Sequence, residues 1–228
     1  MSSIRGQIPG VAFPVFEENQ GLAKPGWDLE TARRRLLEIS GDAGLTAAAA
    51  LCAQAQAAGD AAAWVMTTDA GFFAPDMAAA GVSLESLAVV RVPPTTEPEA
   101  RKRASRPGSR LARAATILAQ SGGFGVIVID LGGIDIAGRA RGLPQLSMAT
   151  QGRLHQLAVA HDAAIACVTQ KPESAPSLGS MVSLHVYTEV FDNHFDNHPR
   201  ITLRALKDKR RGPGWDDIRA FHGPPGLR

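Results

Sequence analysis

The stretch FGVIVID, residues 124–130, constrains the fold more than any other part of the chain. Four consecutive β-branched residues closing on Asp130 suit a strand buried on both faces, the condition met at the centre of a parallel sheet. Further apolar runs read as strands at RLLEIS (35–40), AAWVMTT (62–68), LAVVRV (87–92) and AAIACVTQ (163–170). Helical segments separate them: a short one from the N-cap Asp28 to about Arg35, then TAAAALCAQAQAA (46–58) ended by Gly59, PDMAAAG (75–81), one entered from a basic linker before residue 122, and ATQGRLHQLAVAHD (149–162). Strands alternating with helices of this length predict parallel βαβ units and an α/β fold. The last third changes character, because LHVYTEVF and RITLRALK flank DNHFDNHP in the manner of an antiparallel hairpin added at a sheet edge.

Three divisions follow. Residues 1–27 carry Pro9, Pro14 and Pro25 with four glycines and predict an irregular arm, residues 28–215 the core domain, and residues 216–228 a tail. A chain of 228 residues, 45% hydrophobic and 20% charged, has the size and composition of one globular domain with a sizeable core. Its net charge is only +2, yet arginine outnumbers lysine nineteen to five, which suits phosphate or carboxylate partners. Cys52 and Cys167 lie in apolar surroundings without metal-ligand spacing and read as buried thiols. The N-terminus lacks the apolar core of a signal peptide and no run has the length of a membrane span, so a cytoplasmic location is expected.

The segment EISGDAGLTAAAAL, residues 38–51, places a glycine turn between a strand and a helix, where a nucleotide-binding protein holds phosphates. A working P-loop needs a lysine beside its last glycine to neutralise phosphate charge, and no lysine occurs between Lys24 and Lys102. Gly41, Gly44 and Thr46 could still offer backbone N–H groups to an anion, or could simply join strand to helix.

The order of elements resembles the core of the bacterial RecA recombinase family over roughly residues 29–215. EISG is similar to that family's Walker A strand and loop, VIVID with Asp130 to Walker B, and ACVTQ ending at Gln170 to the strand whose glutamine opens the second DNA loop. LKDKRRGP is similar to its Lys-x-Lys-x-x-x-Pro segment and puts Lys207, Lys209 and Pro213 at matching places. The resemblance implies a RecA-like core, a mostly parallel central sheet flanked by helices with the antiparallel hairpin at its edge. Leu45 stands where the P-loop lysine would fall, and Asp69 is at best a shorter substitute for the catalytic glutamate. A small RecA-like chain with a degraded P-loop looks like the ImuA family of bacterial damage-induced mutagenesis. That resemblance implies a non-catalytic adaptor of the SOS response, supporting error-prone translesion synthesis and DNA damage tolerance. It implies ImuB, a polymerase-like protein, as partner, RecA as a second candidate and a replicative-type polymerase indirectly. No cofactor is expected, with little hold on ATP or Mg²⁺.

Asp130 either holds Mg²⁺ through water or caps its strand end. Lys207, Lys209, Arg210 and Arg211 form a basic turn, either solvated or in contact with a partner or nucleic acid. The segment RKRASRPGSRLAR holds six cations in thirteen residues, among them Arg101, Arg103 and Arg106; it could track phosphates but offers no aromatic to stack bases. The rival reading is an unorthodox ATPase that binds DNA directly, with Arg139 or Arg141 from the glycine-rich loop 131–146 reaching over the site. FDNHFDNH, with His194 and His198, lacks a third well-placed ligand and is read as turn-forming rather than metal-binding.

Overall fold

The computed structural model describes residues 26–68, 70–93, 107–132, 146–191 and 200–220. The chain is α/β: one eight-stranded, mostly parallel sheet carries helices on its faces and antiparallel strands at one edge. The elements in chain order are α1 (Leu29–Ala32), β1 (Arg35–Gly41), α2 (Gly44–Ala57), β2 (Ala61–Thr67), α3 (Ala74–Ala79), a 3₁₀ turn (Leu84–Ser86), β3 (Leu87–Val92), α4 (Pro107–Ser121), β4 (Phe124–Asp130), α5 (Met148–Ala160), β5 (Ala164–Val168), β6 (Leu184–Phe191), β7 (Arg200–Asp208) and β8 (Asp216–Ala220). Strand order is β3-β2-β4-β5-β1-β6-β7-β8, with β6 parallel to β1 and β7 antiparallel to both β6 and β8.

The β-branched run of β4 sits between β2 and β5, buried on both faces from Gly125 to Asp130. Val126 and Val128 join one apolar cluster with Leu37, Ile39 and the alanine face of α2; Ile127 and Ile129 join a second with Ala112, Ala115, Leu154 and Ala158 of α4 and α5. Alternation along one strand thus feeds two core layers. Alanine serves α2 because it allows close approach to the sheet: Ala47, Ala48, Ala49, Leu51, Cys52 and Ala55 are all buried.

The structure departs from the sequence expectation at two ends. Asp28 caps α1 through Thr31 N at 2.6 Å, but the helix stops at Ala32 rather than near Arg35. Arg33 Nη2 reaches Asp60 at 2.6 Å, Arg34 turns the chain with φ 59°, and Arg35 already belongs to β1, where its guanidinium meets Asp208 at 2.8 Å. The expected tail from residue 216 opens with a strand, β8, which pairs with β7. The arm's last residue is likewise tied down: Trp27 is buried, its indole donates to the Ala47 carbonyl at 3.1 Å and its backbone N–H to Asp217 at 2.7 Å.

Candidate functional site

The ends of β1 and β4 and the residues beyond β5 bring Gly41, Gly44, Asp130 and Gln170 to the C-terminal end of the parallel strands, where open α/β sheets bind ligands. At the turn itself the backbone leaves little room. β1 ends at Gly41 and α2 begins at Gly44, so only Asp42 and Ala43 lie between. A loop that cradles phosphate aims several successive N–H groups at one anion; a two-residue turn is shorter than a P-loop's and adds few such groups to those of the α2 N-terminus.

Packing closes the turn further. Gly41 has φ +95°, and a Cβ there would overlap the carbonyl oxygen of Thr188 on β6. Thr188 in turn donates its hydroxyl to the Ser40 carbonyl at 2.8 Å. Gly44 abuts Val168 of β5, Thr46 is buried, and Leu45 packs against the core cluster. The exposed Asp42 accepts from Val190 N at 3.2 Å and places a carboxylate beside the turn. Gly41→Ala is expected to lower stability by about 2 kcal/mol or more, from left-handed strain and overpacking against β6, as read by chemical denaturation.

Asp130 is buried and accepts from Gly132 N at 2.8 Å, a short turn that caps the strand end. Gln170 is exposed, while its neighbours Thr169 and Lys171 are buried. Asp69, Arg101, Arg103, Arg106, Arg139, Arg141 and the FDNHFDNH histidines lie outside the described residues. Among the described residues, no three His, Cys, Asp or Glu side chains group as metal ligands, and no helix is long and apolar enough to cross a membrane.

The sequence reading missed a buried polar network immediately under the next segment. β5 connects to the parallel β6 without a helix: residues 169–183 run as an irregular strap, joined to β1 by Thr169 N to the Ile39 carbonyl at 2.8 Å and Ser183 N to the Leu36 carbonyl at 2.9 Å. An irregular segment leaves backbone groups that need partners from elsewhere. Glu38, fully buried in mid-β1, accepts from Leu178 N at 2.7 Å and from the Thr169 hydroxyl at 3.0 Å, and pairs with Lys171 Nζ at 2.5 Å. Lys171 also donates to the Pro176 carbonyl at 2.6 Å, and Gln151 Nε2 to the Leu178 carbonyl at 3.1 Å.

The two lysines of the C-terminal motif serve the same strap. Lys207 Nζ donates to the Gly179 carbonyl at 3.0 Å and Lys209 Nζ to that of Ser180. Burial first, then the neighbouring Lys209, lowers the Lys207 pKa, with Glu38 opposing. Arg210 and Arg211 reach instead toward α1 and the start of β1, through the Arg34 carbonyl and the Thr31 hydroxyl, each at 3.1 Å.

His185 lies beside this network, buried, with Nε2 2.8 Å from the Ser40 hydroxyl and 4.0 Å from Glu38. Serine, histidine and acid side by side do not make a hydrolytic relay here. Serine and glutamate both approach Nε2, whereas a relay places the acid on the other ring nitrogen, and all three groups are shut from solvent. Burial lowers the His185 pKa, Glu38 opposes that and Lys171 and Lys207 add to it, so the ring folds neutral. A depressed value means the stability it carries is complete above the unfolded value of about 6.5 and is lost as pH falls below it. Denaturation midpoints are expected to decline as pH falls below about 6.5, and His185→Gln to flatten that decline.

No family model and no curated protein sequence matches the chain.

Proposed function

We propose that this chain is a non-catalytic adaptor that works by being bound, with a decayed nucleotide site kept as scaffold. The resemblance to the RecA core and to the ImuA family supplies the setting: error-prone translesion synthesis during the SOS response, a polymerase-like ImuB partner, RecA as a second candidate, and a cytoplasmic location. The observation that carries the reading is the turn of Asp42 and Ala43 between β1 and α2. It has neither the length to wrap phosphate nor a lysine to neutralise it.

Three further placements support the reading. Leu45, at the position of the missing lysine, packs on the core; Asp130 is engaged by its own turn; and Lys171, next to Gln170, is committed to Glu38. Affinity co-purification with a polymerase-like ImuB protein tests the partner. A stoichiometric complex surviving gel filtration is expected; its absence with both ImuB and RecA contradicts the adaptor role.

A further inference from the structure

The turn after β7 presents a group of cations, of which only Lys209 also donates to the strap, at the Ser180 carbonyl. Asp208, the only carboxylate within residues 207–211, accepts from four donors: Arg35 Nη1 at 2.8 Å, Arg210 N at 2.8 Å, Arg211 N at 3.2 Å and Trp215 Nε1 at 3.1 Å. Its charge is matched by the buried Arg35, and its oxygens hold the turn in one shape. The side chains projecting from that turn, Lys209, Arg210 and Arg211, are exposed, as is Arg34 beside them. Each of the two turn arginines is steadied by a single hydrogen bond, to the Arg34 carbonyl or the Thr31 hydroxyl, which leaves most of each guanidinium fork available. None of these four cations forms a salt bridge among the described residues, in contrast to Arg33, which faces Glu30, Asp60 and Asp162, and Arg204, which faces Glu173 and Asp216. Burial first, then Lys209 and Arg210, lowers the pKa of His155 on α5.

The patch lies where β1 begins and β7 ends, at the opposite end of the sheet from the β1–α2 turn. Fixed guanidiniums without acid partners match a phosphate backbone, whose oxygens they bind bidentately. Among the described residues, the exposed large apolar side chains include none from the turn or from residues 31–34, which disfavours an acidic peptide with apolar anchors. The nearest aromatic in sequence, Trp215, is partly buried against the core with its indole N–H on Asp208, so among the described residues no ring at the turn offers a stacking platform for single-stranded bases.

We propose that Arg34, Lys209, Arg210 and Arg211 form a docking site for the phosphate backbone of duplex DNA. The site stands apart from the adaptor reading, since it needs no polymerase-like partner, and either can fail alone.

Fluorescence anisotropy of a labelled 20-base-pair duplex with the isolated full chain tests it. Affinity is expected to fall with salt at a log–log slope of about −3 to −4, one increment per neutralised phosphate. Arg210→Ala with Arg211→Ala is expected to make the slope shallower by about two, while Arg210→Lys with Arg211→Lys retains it. The charge-matched pair Arg200→Ala with Arg204→Ala, both on β7 away from the turn, is expected to leave binding unchanged. Absence of binding at 50 mM salt overturns the proposal. So does binding that survives loss of Arg210 and Arg211, binding abolished instead by replacing Arg101, Arg103 and Arg106, or preference for a glutamate-rich peptide over the duplex.

Discussion

Glu38→Ala is expected to destabilise the protein by about 3–5 kcal/mol, the cost of removing one partner from a buried ion pair. Lys171 would remain buried at 4% exposure with no counter-charge, and the Leu178 N–H and Thr169 hydroxyl would lose their acceptor. Because the strap of residues 169–183 has no helical hydrogen bonds of its own, the loss concentrates there. Urea denaturation should show the shift in midpoint, and hydrogen exchange should show opening at Leu178 before the flanking strands. The paired change Glu38→Leu with Lys171→Met is expected to recover much of the loss, since both charges leave together, although Leu178 N stays unpaired. A Glu38→Ala protein as stable as the parent would remove the network from the account.

Asp208→Ala is expected to cost a similar amount, about 3–5 kcal/mol, for the same physical reason at the start of β1. Arg35 is 1% exposed, its Nε already lacks a hydrogen-bond partner, and its only salt bridge among the described residues is to Asp208. The substitution also frees the Arg210 and Arg211 N–H groups and the Trp215 indole. Although burial alone would raise the Asp208 pKa, these hydrogen bonds and the Arg35 charge outweigh it and hold the carboxyl below its ordinary value. Its contribution is therefore complete above the unfolded value of about 3.9 and is lost as pH falls through the lower folded value. Acid denaturation of the parent should show this second step below the one assigned to His185, and Asp208→Asn should abolish it.

The parallel core was legible because its strands are locally unambiguous. The β-branched FGVIVID and the runs AAWVMTT and LAVVRV have no helical alternative at their length, and alanine-rich segments between them fix the layers. β8 was missed because DDIRA carries one large apolar residue among charges and reads as tail; its order comes from pairing with β7 and from Asp217 meeting Trp27. The missing lysine near Gly44 was visible directly. Glu38 was not singled out, since a lone acid in an apolar strand gains meaning only beside Lys171 and Leu178, more than 130 residues away in the chain. The only available signal was its place in mid-strand, where an unpaired charge would be expelled. Lys207 and Lys209 stand out in the sequence as a spaced pair, but their hydrogen bonds to Gly179 and Ser180 depend on a helix-free crossover that no local pattern reveals.

The turn of Asp42 and Ala43 is expected not to hold a nucleotide. Titration calorimetry with ATP and Mg²⁺ measures it most directly, on the parent chain and on Leu45→Lys, which restores the absent cation. Neither protein is expected to give saturable heat at millimolar ATP, because the added ammonium has no phosphate cradle to complete. Micromolar affinity in the parent, accompanied by DNA-stimulated hydrolysis, would contradict the account.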